Sequence, residues 1–287
     1  QENRNLIDLE SARANAAKVI FGPEEVKEPK QKGVFQLESY DLEELARYID
    51  WTPFFQTWEL AGRYPAILED KVVGSQAKEL YKDAREMLDR IIKEKWVQAK
   101  AVFGLFPANS NGDDVIVYTD EGRSEERCRF HFSRQQNKKA AGQPNFCLAD
   151  WIAPVNSGVA DWIGGFAVST GHGMEPHLER FKAEHDDYQS IMFKALADRL
   201  AEAFAERLHQ KVRMEYWGYA SEECLDNESL IREKYQGIRP APGYPACPDH
   251  TEKITLFDLL EAPERAGIHL TESMAMDPAS SVSGWYF

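Results

Sequence analysis

The hydrophobic pattern changes its period abruptly near Trp96, and this change constrains the fold more than any other feature. Between Ser75 and Trp96, apolar residues recur at helical spacing, which predicts an amphipathic helix. The segments that follow, VQAKAVFGLF, DDVIVYTD and RCRFHFSRQ, have the composition and alternation of strands. The short polar segment EGRSEE between the last two strands indicates a hairpin, and hence antiparallel pairing.

The remaining periodic segments fill in a mixed architecture. A long helix is predicted over Glu184–Trp217, with a buried stripe that begins at Ile191. A shorter helix is predicted over Asp41–Asp50, where Asp41 and Glu44 have the spacing of a capping box. LFDLLEA is predicted as a short helix, and VADWIGGFAVST, IHLTES and SVSGWYF as strands. Because helices and strands are partly segregated along the chain, the predicted fold class is α+β.

Composition divides the chain near residue 35. The segment FGPEEVKEPKQKG is charged and rich in proline and glycine, as linkers are. We therefore expect residues 1–35 to form a linker or arm with little regular structure, and residues 36–287 to form one domain. The first residue is Gln1, and the last segment, SVSGWYF, is a strand whose edge would pair with a following strand. Both features favour a fragment of a longer protein.

The charge and the cysteine content exclude several classes of function. A net charge of -14 argues against binding to nucleic acid or to an anionic membrane surface. No run of 18 apolar residues is present, so no transmembrane helix is expected. The four cysteines are far apart and form no CxxC motif, which predicts free thiols in a cytoplasmic protein.

Common catalytic and metal-binding motifs are absent from the sequence. It contains no GxGxxG after a strand, no P-loop, no HExxH and no GxSxG. GHGMEPH, around His172 and His177, and CPDH, at Cys247–His250, each lack a second ligand pair at suitable spacing. We therefore predict no metal site. The alternative, a metal hydrolase, predicts that the purified protein contains bound zinc.

The loop RPAPGYPACPDH, from Arg239 to His250, is stiff because four of its residues are proline. Its remaining backbone groups are expected to meet water, side chains or a ligand rather than a helix or an inner strand. Gly243 allows close approach, Tyr244 offers a flat ring, and Arg239 offers a fork for a carboxylate or phosphate. Physics alone leaves a ligand-binding loop and a rigid surface connection about equally favoured.

A second unusual stretch, YIDWTPFFQTWELAG (Tyr48–Gly62), places Asp50 among four large aromatic residues. Most of these rings are expected to belong to the core. Asp50 at the rim of an aromatic wall would nevertheless suit an ammonium or sulfonium cation.

Six segments occur here in the order seen in one known family. They are YIDWTPFF, LEDKVVG, FPANSNGDD, HDDYQSIMFKALADRLAEAFAE, EYWGYA and YQGIRPAPGYPACPDHTEK. Over about residues 35–287, the chain resembles the C-terminal, S-adenosylmethionine-binding activation domain of cobalamin-dependent methionine synthase. The resemblance implies a single C-shaped α+β domain with a long, bent antiparallel sheet flanked by helices.

The resemblance also implies which residues meet S-adenosylmethionine. Asp50 would meet the ligand's ammonium group, and Arg239 would bind its carboxylate. The adenine and ribose would lie along the backbone of Ala241, Gly243 and Tyr244.

Four acidic residues are also implied. Glu202 and Glu233 match acidic family positions near the ligand. Asp198 and, less closely, Glu175 match positions that face the histidine ligand displaced from cobalt on the cobalamin domain. A solvent-facing helix acid remains the alternative for Asp198.

The implied function is reactivation within methionine biosynthesis. Flavodoxin or a flavoprotein reductase would reduce cob(II)alamin, and S-adenosylmethionine would methylate the resulting cob(I)alamin. The chain would position the methyl donor and supply no catalytic acid or base, so the isolated domain is not expected to be active alone. The family continues past GWYF with a segment that brings a tyrosine pair to the ligand, so weaker binding is expected here. The alternative is a capping domain for a cobalamin-binding partner, without a ligand of its own.

Overall fold

A computed structural model describes residues 5–287 and shows a mixed chain of helices and strands. The strands are β1 (Gly33–Leu37), β2 (Gln98–Asn111), β3 (Asp114–Tyr118), β4 (Glu126–His131), β5 (Asp161–His172), β6 (His269–Leu270), β7 (Met276–Asp277) and β8 (Ser281–Tyr286). The α-helices are α1 (Leu9–Ala14), α2 (Leu42–Ala46), α3 (Thr52–Thr57), α4 (Gly74–Glu94), α5 (Glu175–Ala183), α6 (Asp187–Lys211), α7 (Asn227–Ile231), α8 (Glu252–Leu260) and α9 (Ala262–Ala266).

Strand β2 organises the main sheet because it is long enough to pair with three other strands. The sheet has six strands in the order β4-β3-β2-β5-β8, and β1 also pairs with β2. Residues 101–105 of β2 pair with β1 and residues 108–111 pair with β3, so these two strands lie end to end along one edge. All of these pairings are antiparallel, which confirms the predicted α+β class with a long antiparallel sheet flanked by helices.

The sheet separates two hydrophobic cores. Along β2, Phe103 and Leu105 lie in a cluster with residues of α4 and α6, whereas Val102 and Phe106 lie in a cluster with residues of α8 and α9. This alternation follows from the two-residue repeat of a strand. Both faces of the central strands are therefore covered, which explains their nearly continuous apolar sequence.

The two long predicted helices are present. Helix α4 matches the prediction for Ser75–Trp96, and α6 is continued by a π-helical turn at Val212–Tyr216. The buried stripe of α6 begins at Met192 rather than at Ile191, which is 46% exposed. Ile191 lies on the flank of the helix because the buried face follows Met192, Leu196 and Leu200.

The predicted capping box at α2 is only half correct. Asp41 caps the helix and accepts a hydrogen bond from the backbone N–H of Glu43 at 2.9 Å. The Glu44 carboxylate does not return to the cap; instead it pairs with Arg207 of α6 at 2.7 Å. A tertiary ion pair has replaced the local hydrogen bond, and it joins α2 to α6.

The N-terminal segment has more regular structure than expected. It contains α1 and most of β1, and Arg13 pairs with Asp113 at 2.8 Å. The Trp217 indole donates a hydrogen bond to the Lys27 carbonyl at 2.8 Å, which holds the segment against the end of α6. The division between arm and domain at residue 35 stays a prediction, although β1 crosses it.

Within residues 5–287, no helix has the length and apolar composition needed to cross a bilayer.

The sheet yields a stability prediction at Gly284 of β8. A Cβ built at this position would lie 2.4 Å from the carbonyl oxygen of Pro240, and this oxygen belongs to backbone that cannot move freely. We expect Gly284→Ala to lower the free energy of unfolding by about 1–3 kcal/mol, measured by urea denaturation.

Ser283→Ala on the same strand is the matched control. The Ser283 hydroxyl is buried and has no partner within residues 5–287, so its removal should change stability by less than about 0.5 kcal/mol. Equal stability of the Gly284 variant and the wild type would contradict the packing described here.

Candidate ligand-binding site

The start of the proline-rich loop forms an extra strand-like edge on the main sheet. Ile238 and Phe287 exchange two backbone hydrogen bonds at 3.2 Å, and the Trp285 N–H donates to the Pro240 carbonyl at 2.9 Å. The loop joins no inner strand, as expected, but the Pro240 carbonyl meets the backbone of β8 rather than water, a side chain or a ligand. Proline cannot donate a hydrogen bond, but its carbonyl can accept one. The outer edge of β8 thus pairs with an earlier segment of the chain.

The middle of the loop folds into a tight turn. The Gly243 N–H donates to the Cys247 carbonyl at 2.7 Å, and the Cys247 N–H donates to the Tyr244 carbonyl at 2.9 Å. Gly243 has a φ of 92°, and a Cβ there would collide with the His250 ring. The close approach predicted at Gly243 is thus made by an imidazole of the same loop. The Tyr244 ring is 64% exposed, and Ala241 is partly buried beside it in the chain.

Arg239 turns inward from the loop to α6. Its guanidinium donates to the Ala205 carbonyl at 3.1 Å and to Glu206 Oε2 at 3.3 Å. Burial lowers the pKa of Arg239, but Glu206, Tyr235 and Tyr286 together outweigh burial, and the pKa lies above its ordinary value. Arg239 is therefore charged and is held by Ala205 and Glu206 of α6. Its remaining N–H groups can donate hydrogen bonds to a ligand.

A stripe of acidic residues follows one side of α6 at intervals of four. It contains Asp198, Glu202 and Glu206, and it runs toward the proline loop. Asp198 is exposed and accepts a hydrogen bond from Ser280 at 2.8 Å, while Glu202 is exposed and has no side-chain partner within residues 5–287. Sequence reasoning missed Glu206, although its spacing from Glu202 could have pointed to it.

A buried polar layer lies beneath Arg239. His209 of α6 stacks on Tyr286 of β8 with ring centroids 5.1 Å apart, and Tyr235 meets the His209 ring edge at 4.9 Å. Arg213 lies 4.0 Å from the Tyr235 ring and forms two hydrogen bonds with Glu223. Burial, followed by Arg239 and Arg213, holds the pKa of His209 well below its usual value, so its imidazole is neutral.

Asp50 lies in the short connection between α2 and α3. It accepts a hydrogen bond from the Thr52 N–H at 3.1 Å, and Phe54 and Phe55 behind it are completely buried. The core interpretation is therefore correct for these two rings. Asn227 of α7 donates to the Ile49 carbonyl at 3.2 Å, and its side-chain oxygen is buried without a partner in residues 5–287.

Asp50 lines an open cleft of about 680 Å³ between α7 and α3. The cleft walls carry three aromatic side chains, Trp51, Tyr64 and Tyr81, and the two tyrosine hydroxyls lie 3.2 Å apart. Four exposed arginines also line this cleft: Arg47, Arg63, Arg85 and Arg232. A cleft with both an acid and several cations suits a zwitterionic or anionic group.

The predicted residues fall into three places. Arg239 contacts Glu206, which was not predicted, and the predicted Glu233 lies close enough for its charge to add to the rise that burial causes in the pKa of Glu206. Asp50 lies in a second place, a cleft that residues of α7 also line. The chain continues from α7 to Arg239. Glu175 is exposed at the first turn of α5, away from the Arg239 pair along the chain.

A second cleft, of about 470 Å³, contains none of the predicted site residues. It lies between the N-terminal segment and the end of the sheet, and its walls include Val26, Trp162, Trp217 and Phe287. This cleft is mostly apolar in its side chains. Three charged residues, Glu25, Lys27 and Asp161, also line it, but none of them belongs to the predicted set.

The histidine and cysteine segments are used in packing. His177 stacks on Trp96 with ring centroids 4.3 Å apart, and His250 lies 3.1 Å from Lys253 Nζ. All four cysteines are free thiols. In the part of the chain that the structure describes, no three His, Cys, Asp or Glu side chains gather as a metal site would require.

Comparison with known proteins gives one consistent result. A solved structure described as "Crystal Structure of the MetH Reactivation Domain bound to AdoHcy" is similar to this chain, with 55% sequence identity and a TM-score of 0.95. The match covers 98% of this chain and 86% of that one. Residues 41–287 match the family described as "Vitamin B12 dependent methionine synthase, activation domain". The chain therefore belongs to the activation-domain family of vitamin B12-dependent methionine synthase.

Proposed function

We propose that this chain binds S-adenosylmethionine and presents its methyl group to cob(I)alamin, as the reactivation module of methionine synthase. The observation that carries the proposal is the similar reactivation domain described as bound to AdoHcy, or S-adenosylhomocysteine. That molecule is S-adenosylmethionine without its methyl group. Apart from this methyl group the two molecules have the same atoms, so a site that binds one can make most of the same contacts with the other.

The residues of the candidate site suit the amino-acid end of this ligand. Arg239 is charged, partly accessible and only singly contacted by Glu206, so it can bind a carboxylate. Asp50 is partly buried at the edge of a cleft and suits an ammonium group. The backbone of Ala241, Gly243 and Tyr244 would line the adenosine side, where the stiff loop reduces the entropy lost on binding. Glu202 and Glu233, both exposed, would complete the acidic rim.

The chain's own contribution is positioning. Cobalamin, carried by the neighbouring domain, supplies a nucleophilic cobalt in its Co(I) state. Methyl transfer from a sulfonium to a nucleophile moves no proton, so no acid or base in this chain is needed. The chain would fix the direction of the S–CH₃ bond and keep water away from it.

Two acids are placed suitably to meet the cobalamin domain. Asp198 Oδ1 accepts from Ser280, which leaves Asp198 Oδ2 for a histidine on a facing surface. The Ser280 hydroxyl also lies 3.9 Å from Met174 Sδ, and Met174 immediately precedes Glu175. Ser280 thus contacts Asp198 and the residue before Glu175, which supports one shared interface for the two acids.

The cleft beside Asp50 offers a docking surface for the reductant. Flavodoxins and flavoprotein reductases are the proposed electron donors, and an acidic donor would be repelled by a chain of net charge -14. Four arginines and two acids, Asp50 and Glu228, line the cleft, and this local excess of positive charge would reduce the repulsion. Three of the arginines also form ion pairs: Arg47 with Glu43, Arg85 with Asp89 and Arg232 with Glu228. These enzymes act in the cytoplasm, where we place this chain.

Replacement of Arg239 tests the carboxylate contact. Arg239→Ala is expected to weaken binding of S-adenosylmethionine by about 1.5–3 kcal/mol, the usual cost of losing a charged hydrogen bond. Isothermal titration calorimetry measures this change. Arg265→Ala, which breaks a surface pair with Glu261, is the control and should leave affinity unchanged. Unchanged affinity of the Arg239 variant would refute its role.

Replacement of Asp50 tests the ammonium contact separately. Asn keeps the oxygen that accepts from the Thr52 N–H, so Asp50→Asn should preserve the local fold and remove only the charge. Affinity for S-adenosylmethionine should fall by roughly 1–2 kcal/mol. Asp41→Asn, at the cap of α2, is the matched control. Equal affinities of the two variants would remove Asp50 from the site.

The complete enzyme tests the reactivation function. After oxidative inactivation, a reductant and S-adenosylmethionine together should restore methionine synthesis, whereas reductant and S-adenosylhomocysteine should not, since the latter has no methyl group. Recovery without any methyl donor would instead favour a capping domain that uses no ligand.

A further inference from the structure

Two arginines near the proline loop, Arg213 and Arg239, are paired in different ways. Arg213 donates through Nε and Nη2 to both oxygens of Glu223, at 2.7 and 2.6 Å, and its side chain is completely buried. Arg239 makes only one contact with Glu206, at 3.3 Å, and its side chain is 17% exposed. The first pair is closed and bidentate, whereas the second leaves most of one guanidinium free for another anion.

Glu206 is an unusual residue to find at this point of α6. Its side chain is 12% exposed, its Oε1 is buried, and this oxygen has no hydrogen-bond partner in residues 5–287. A buried carboxylate with a single contact costs free energy that an apolar residue would not. Helix stability therefore does not explain why a carboxylate is buried at this position, whereas the contact with Arg239 does.

Few other groups around Arg239 could fix the orientation of its guanidinium. The His209 imidazole beside it is neutral, and the Tyr286 hydroxyl is buried without a partner in the described chain. The Ala205 carbonyl accepts from Nη1 but carries no charge. Glu206 is thus the anionic group in direct contact with the guanidinium, and it makes this contact from α6.

We infer that Glu206 is a positioning residue, which orients Arg239 so that its free N–H edge meets the carboxylate of an α-amino-acid ligand. The inference rests on the proposed function, because it takes the carboxylate of S-adenosylmethionine or S-adenosylhomocysteine as that anion. Glu206 does not itself touch the ligand. Its effect should therefore disappear when either the ligand carboxylate or Arg239 is removed.

The test compares two ligands that differ only in the carboxylate. S-adenosylhomocysteine and its decarboxylated form are titrated into the wild type and Glu206→Gln. The substitution should reduce the preference for the carboxylate-bearing ligand roughly tenfold, the size of effect that loss of an outer-shell partner has at metal sites. Affinity for the decarboxylated ligand should stay the same. In an Arg239→Ala background, Glu206→Gln should have no further effect on either ligand.

Glu44→Gln is the matched control, because Glu44 pairs with another arginine of the same helix, Arg207, and should leave both affinities unchanged. If Glu206→Gln does not fold, Glu206→Asp keeps the charge on a shorter side chain and should also reduce the preference. An unchanged preference, an equal loss for both ligands, or an effect that persists without Arg239 would overturn the inference. A wild type that binds neither ligand would overturn the proposed function instead.

Discussion

The backbone pairing between Ile238–Pro240 and the outer edge of β8 fixes the position of the candidate site. The Pro240 carbonyl accepts from Trp285, and Ile238 exchanges hydrogen bonds with Phe287, so the loop starts as an extension of the sheet. Gly284 permits this approach, because a side chain there would strike the Pro240 carbonyl. Arg239 lies between these anchored residues, and its Cα therefore has little freedom. A guanidinium on a mobile loop would lose more entropy on binding a ligand.

Local pattern was sufficient to predict most of the regular structure. The change of period at Trp96, the long helices and the hairpin between β3 and β4 all appear where alternation and helical spacing placed them. The errors have a common origin in tertiary contacts. Glu44 pairs with Arg207 instead of completing the predicted capping box. The N-terminal segment has more structure than predicted because it contacts Asp113 and Trp217. Sequence patterns describe neighbours within one element and carry little information on partners from distant elements.

The candidate site was predictable only in part, for the same reason. The proline content showed a stiff loop, yet it left open whether a ligand or water would meet it, and resemblance to a family supplied the ligand. Glu206 was missed because its importance comes from Arg239, which lies 33 positions away in the sequence. The partner of the β8 edge was also unexpected, since it precedes β8 in the chain and contains proline.

A site built for positioning differs from a site built for proton transfer. Proton transfer needs groups whose pKa values lie near the working pH, whereas those of His209 and Tyr286, below the loop, are moved away from it. His209 is held neutral by burial and by two neighbouring arginines, and burial raises the pKa of Tyr286 well above its usual value. Arg239 remains charged, contacts the Ala205 carbonyl and Glu206, and keeps 17% of its side chain exposed. These groups can attract and orient a charged ligand without exchanging protons with it, which is what transfer of a methyl group from a sulfonium requires.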